Sequence, residues 1–373
     1  FSGAGAEGTS LSYKDSNFVD VYQNGIKLGD ADYTSTSGTS IVLAQGASVD
    51  DLVVVVVFDV FSVSDTVSKA DGGTFDGIIS TSSAGTNNLR IGANAGDAIA
   101  SGGNYNVVLG DEAGTAITTA DNNVAVGYNA LATNTTASTN TAVGYQAAYS
   151  NQTGVGITAF GANALYATTA SDNCGIGTDN PGNYAAALES NTLGRFNTAV
   201  ATGALGSDTK GSKSTAIGHS ALATQNFTSE TISYNTAVGY NAGTAVTTGT
   251  QNTLIGYQSG LALTDADFNT VLGTNALATD TQGSKSTAIG TQALNTQNFS
   301  SATDSFNTAV GYQAGLSLTV GIQNTLIGGL AGDALTDADF NVAIGYNALT
   351  GDTQGSRSVA IGRGALAVQN FTS

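Results

Sequence analysis

The chain is short of most of the residues that do chemistry. Its 373 residues include one cysteine, one histidine, one proline and no methionine or tryptophan. The lone Cys174 rules out an intrachain disulfide, so stability has to come from packing and association. Within the segment N-C-G-I-G it is expected as a small buried side chain at an inward strand position. The lone His219 has no Ser–acid or Cys pattern around it from which to build a nucleophile. Related segments carry Tyr240, Thr274, Thr291 and Tyr312 at its place, which marks an outward surface position. No catalytic residue, no enzyme and no cofactor are expected.

Basic residues are also scarce. Ten Lys and Arg stand against 28 Asp and Glu, a net charge of −18, which argues against nucleic acid and suits a soluble extracellular surface. The longest apolar run, Leu52 to Val60, is too short to cross a bilayer, so no membrane insertion is expected. A chain without methionine is expected to be a processed or excised piece of a longer product.

What is abundant is glycine, with 49 residues, and many of them keep time. Variants of N-T-A-V-G-Y-Q-A-G, as at 307–315, place a glycine at 92, 110, 127, 144, 161, 177, 218, 239, 256, 273, 290, 311, 328, 345 and 362. One further rung carries Ala201 instead, and the dominant spacing is 17 residues. A fixed period of this size marks a solenoid in which each repeat is one coil stacked on the last. Gly218, Gly290 and Gly362 lie 72 residues apart, and the text between them nearly copies itself. L-T-D-A-D-F-N, for example, occurs at 263–269 and again at 335–341.

The fold class expected is all-β. Residues 1–16 read as a linker. Residues 17–62 read as a small antiparallel module with a hairpin turn at Asn24-Gly25 and a central strand in the apolar run. D-A-D-Y-T-S-T-S-G is expected as a polar connection within it. Residues 63–88 have linker or shaft composition, and 89–373 form a parallel β-solenoid, or β-roll, with 72-residue super-repeats. Within a rung, strand periodicity places the Val, Ile or Leu before the glycine inward as an aliphatic column. The Ala two or three residues after the glycine lines a narrow interior. The Asn at each rung start is expected as a ladder or corner residue. Sixteen rungs give a thin rod of roughly 75–80 Å. Such a rod gains by pressing against sister rods, so a homotrimer is favoured.

These residues support a comparison. S-V-A-I-G-R-G-A-L-A at 358–367 and S-T-A-I-G-H-S-A-L-A at 214–223 resemble the head repeats of trimeric autotransporter adhesins, which are left-handed parallel β-rolls. N-T-A-V-G-Y-N-A-G and N-T-L-I-G-Y-Q-S-G look more like repeats of phage tail fibres. V-Y-Q-N-G-I-K-L-G-D-A-D-Y-T at 21–34 resembles a small module near the start of many tail-fibre proteins. G-G-T-F-D-G-I-I at 72–79 is similar to the glycine–aromatic motif of trimeric fibre shafts. The resemblance implies a structural and adhesive fibre on a phage virion surface, extracellular and homotrimeric. Its implied partners are its own copies, other virion proteins and a host surface glycan or protein. It also implies a C-terminal chaperone that was cleaved away or lies beyond Ser373. A bacterial trimeric surface adhesin is the alternative, and a polysaccharide-degrading tailspike a more distant one.

Candidate sites lie where the repeat is interrupted. Four extra residues per block fall in Q-N-F-T-S-E-T-I-S-Y and Q-N-F-S-S-A-T-D-S-F. They put Phe227, Phe299 and Phe371, with Tyr234 and Phe306, on bulges as candidate receptor contacts, with packing between subunits as the other role. Tyr184 joins them, in the 24-residue step from Gly177 to Ala201 that holds Pro181. Asp265 and Asp267, repeated as Asp337 and Asp339, are weak calcium candidates. Lys213, Lys285 and Arg357 stand one block apart beside Asp208, Asp280 and Asp352. They are expected to form a local ion pair or a contact across subunits, or else to hold an anionic polysaccharide.

Overall fold

The computed structural model describes residues 19–29, 31–35, 40–48, 50–57, 84–180 and 184–371. The chain divides into two compact units, Phe1–Ile78 and Ile79–Ser373. The expected linker over 1–16, the motif at 72–79 and Pro181 lie outside the described residues.

In the first unit Asn24 and Gly25 both take left-handed backbone, at φ 50° and 81°, as a two-residue hairpin turn requires. They join β1 (Val19–Gln23) to β2 (Ile26–Lys27). β3 (Tyr33–Thr34) pairs with β4 (Val42–Leu43), so the stretch expected as a polar connection holds a short strand. β5 (Val53–Val57) pairs antiparallel with β1, giving the order β2-β1-β5. The apolar run is therefore an edge strand among the described residues, and β1 is the central one. Val53 and Val55 pack on the cluster of Val19, Val21 and Ile41, while Val54 and Val56 are exposed.

The second unit is a parallel β-solenoid. Sixteen three-residue strands, from Leu89–Ile91 to Val359–Ile361, form one sheet in chain order and unbroken register. Thr253, Leu254 and Ile255, for instance, pair with Thr270, Val271 and Leu272. A three-residue strand has one inward side chain, and here it is the middle one: Ala125, Ala142, Ala216, Leu254 and Val271 are fully buried. The Val, Ile or Leu before the glycine faces outward instead of forming the expected internal column. The expected pattern was right in period and wrong by one residue in parity, which moves every side chain to the opposite face. Cys174 follows the same shift: it is half-buried at an outer strand position, and Gly175 points inward. Burial raises its thiol pKa.

The glycine column is set by backbone contact between rungs. A Cβ on Gly127 or Gly256 would lie 2.6 Å from the carbonyl oxygen of Gly144 or Gly273 on the next rung. Their φ angles, 121° and 132°, are ones that L side chains rarely adopt. Ala201 is the exception, at φ 100°. Three residues past most of these glycines sits the small buried Ala that the sequence predicts, as at Ala130, Ala147, Ala221 and Ala293.

The next position divides the rungs into two main kinds. In some it is a buried Leu, as at Leu131, Leu222 and Leu277; in others it is glycine, as at Gly114, Gly243 and Gly260. Where it is glycine, an aliphatic residue three positions later fills the same space: Ile117, Val246 and Leu263. A Cβ on Gly260 would approach Leu263 to 2.8 Å and Leu254 to 2.9 Å. Where it is Leu, the later position is polar: Asn134, Gln225 and Asp280. The interior is filled from either of two positions in the rung, as dense protein packing requires.

The rung-start asparagines form a buried ladder, one of the roles expected of them. Asn123 Oδ1 accepts the backbone N–H of Asn140 at 2.9 Å. Asn252 Oδ1 accepts that of Asn269 at 2.9 Å, and its Nδ2 donates to the Ala266 carbonyl at 2.7 Å. Each Asn satisfies backbone groups that the corner would otherwise bury unpaired.

Candidate functional site

Three surfaces of the solenoid carry something other than scaffold. The first lies at the four-residue insertions, where the rung-start Asn gives way to Ser214, Ser286 or Ser358. The extra residues build a second parallel pair outside the main sheet, Gly211–Ser212 with Thr231–Ile232 and Gly283–Ser284 with Thr303–Asp304. Beneath them runs a buried polar network. Asp208 accepts the Gln225 Nε2–H at 2.7 Å and the Gly211 backbone N–H at 2.9 Å. Gln225 also donates to Ser214 Oγ at 3.0 Å and accepts from Asn235 Nδ2 at 2.8 Å. Ser214 Oγ and Ser233 Oγ share a hydrogen bond. The next copy repeats this arrangement with Asp280, Gln297, Ser286, Ser305 and Asn307. Burial pushes the Asp208 carboxyl above its usual range, opposed by its hydrogen bonds from Gly211 and Gln225.

This overturns the expected ion pairs. The acids of each block are fully buried, and their partners are amides, not Lys213, Lys285 or Arg357. Of those cations, Lys285 pairs with Asp304 at 2.5 Å, one of three ion pairs among the described residues.

The insertion phenylalanines are likewise inside. Phe227 and Phe299 are 5% exposed, so neither offers a surface to a receptor in this structure. A Cβ on Gly283 would meet the Phe299 ring at 2.8 Å, and one on Gly355 the Phe371 ring at 2.7 Å. Phe371, near the end of the described residues, remains exposed. Tyr234 and Phe306 are 53% and 52% exposed, and they belong to a different column.

That column is the second surface. It consists of the residue just before each rung start, and it takes left-handed backbone in every rung of the solenoid. From Phe196 onward it runs aromatic, cation, aromatic, amide: Phe196, Lys213, Tyr234, Gln251, then Phe268, Lys285, Phe306, Gln323, then Phe340 and Arg357. All five aromatic residues are exposed. The cations sit against neighbouring rings, with Lys213 Nζ 5.3 Å from the Tyr234 centroid and Lys285 Nζ 5.1 Å from that of Phe306. The Arg357 guanidinium lies 5.6 Å from the Phe340 centroid. Sequence reasoning found Tyr234 and Phe306 but grouped them with the insertions. It missed Phe196, Phe268 and Phe340. Aligning the rungs from Phe196 onward on their starting Asn or Ser exposes the alternation.

Third, the outer face of the main sheet carries two rows. One is mostly Thr; the other is aliphatic, with Ile217, Leu272 and Ile327 among its exposed members. At its margin Tyr184 meets His219 edge-on at 4.3 Å. His219 stacks on Tyr240 at 5.3 Å and Tyr240 on Tyr257 at 5.6 Å. Tyr184 is thus an exposed member of a ring ladder and not an isolated excursion.

The calcium candidates are already engaged in part. Asp267 Oδ1 accepts the Thr250 backbone N–H at 2.6 Å, and Asp339 Oδ1 that of Ile322 at 2.8 Å. Asp265 and Asp337 are exposed. Among the described residues no group of three or more His, Cys, Asp or Glu is placed to hold a metal ion. Compared with known proteins, the chain matches no family model, no curated protein and no solved structure.

Proposed function

We propose that this chain is a structural and adhesive fibre segment of a phage virion, trimeric, which attaches the particle to a host-cell surface. The observation that carries the reading is the pairing of a uniform rod with an outward aliphatic row, exposed to half-buried, along its sheet. An apolar row of exposed and half-buried residues along a sheet face suits an interaction surface. A rod that repeats itself offers the same row to its own copies, which suits a symmetric, side-by-side assembly. The interior is filled by stacking residues and buried amides, so the surface a partner can meet lies on the outside.

Solution mass tests the assembly. A species of three times 37.0 kDa is expected, and a 37.0 kDa monomer overturns it. Replacing outward Ile217 and Ile255 together with Asp should dissociate the trimer while leaving the β-rich circular dichroism in place. Sedimentation with a panel of bacterial cells tests adhesion, and a protein that stays in the supernatant with all of them overturns that part.

A further inference from the structure

The rings of the column stand, exposed, where the backbone favours other residues. A left-handed backbone costs an ordinary L residue roughly 1–2 kcal/mol, and Asn, Asp and Gly are the residues that take it readily. Most of the early rungs use those residues there, with Asn87, Asn122, Gly156 and Asp172; Tyr105 and Thr139 are the others. The later rungs place Phe196, Tyr234, Phe268, Phe306 and Phe340 in the same conformation, at φ 50° to 59°, with their rings exposed. Strained residues that present large side chains to solvent point to a binding role.

Their spacing names the ligand. The rings recur every second rung, and two rungs at about 4.8 Å each match the length of one disaccharide in an extended pyranose chain. In such a chain, linked equatorially as in cellulose or chitin, alternate sugars present the same face once per disaccharide. One ring per disaccharide can then stack on sugar C–H groups through its electron-rich face. The intervening rungs hold Lys213, Gln251, Lys285, Gln323 and Arg357, every one a hydrogen-bond donor suited to sugar hydroxyls. The surroundings disfavour a polyanion. The chain carries a net −18, Asp304 neutralises Lys285, and Asp267 and Asp339 precede Phe268 and Phe340.

We infer that this ridge binds an extended, uncharged, equatorially linked polysaccharide, one disaccharide to two rungs. The proposal rests on the adhesive reading and deepens it by naming the ligand class.

The full chain is titrated calorimetrically with cellohexaose, chitohexaose, maltohexaose and an alginate oligomer. Binding of at least one of the first two is expected, with no measurable heat from maltohexaose, whose axial linkages coil the chain. The double variant Phe268→Asn and Phe306→Asn should bind at least about tenfold more weakly. Its thermal midpoint should be unchanged or raised, since Asn suits the left-handed corner. The ridge is overturned by silence from both equatorial chains, by equal binding of maltohexaose, by a preference for alginate, or by unaltered binding in the variant. A protein that ignores all four sugars yet sediments with cells keeps the adhesive reading and overturns the ridge alone.

Discussion

The early rungs, with corners from Gly92 to Gly177, and the later ones, from Ala201 to Gly362, share most of an interior and differ chiefly along one edge. Both have the glycine column, the buried Ala and the Asn ladder. In the corner before the ladder, the early rungs mostly carry residues that suit a left-handed backbone, and the later ones carry rings, cations and amides. One interior position also differs: seven residues past the glycine column, early rungs bury Asn134 and Asn151 where later ones bury Asp208, Asp280 and Asp352. A common core with a diverging rim separates what stacks the coils from what the coils present.

The largest effect should be indifferent to region. Gly127→Ala in an early rung and Gly256→Ala in a later one each drive a Cβ into the next rung's carbonyl, at 2.6 Å, on a backbone that favours glycine. Each should lose about 3 kcal/mol or more in denaturant unfolding. If one substitution is benign, the interiors are not equivalent. Next come the ladder amides. Asn123→Ala and Asn252→Ala each leave a buried backbone N–H unpaired, that of Asn140 or Asn269, at about 1–3 kcal/mol.

Exchanging the rim should act in opposite directions. Phe268→Asn should stabilise by about 1 kcal/mol and Asn122→Phe should destabilise by a similar amount. Destabilisation by Phe268→Asn would show that the rings support the fold and would remove the strain argument for the ridge. The smallest effect is the pH response of Asp208→Asn, which makes a later rung resemble an early one. The native Asp208 pKa lies above 3.8, so between that value and the raised one the folded state binds more protons than the unfolded state. Wild-type stability from this group is therefore greatest at low pH and falls as pH rises through the window. The variant lacks this slope, so its unfolding midpoint should gain on wild type with rising pH. Parallel profiles would refute it.

The period, the glycine corners, the Asn column and the Asn24-Gly25 hairpin were legible because each depends on backbone conformation or on a residue that few others can replace there. The buried phenylalanines were not. Phe227 and Phe299 occupy extra residues, and whether an insertion bulges or folds back depends on the room above the neighbouring rung. Gly283 leaves that room for Phe299, whose ring a Cβ there would meet at 2.8 Å. The blocks' cations were misassigned for a related reason. Closeness in sequence put Lys285 beside Asp280, but a solenoid's neighbours are one coil away, where Asp304 stands.

Taken alone, the sequence determined that coils of 17 residues stack with glycine against glycine and Asn over Asn, because a repeat of that length with those residues closes in few ways. Only the tertiary structure decided which side of each short strand faces in. Alternation specifies two faces without labelling them, and the label comes from where the rest of the coil closes to form a core. That one-residue choice buried Ala237, Leu254 and Ala288 and turned Val238, Ile255 and Ile289 outward.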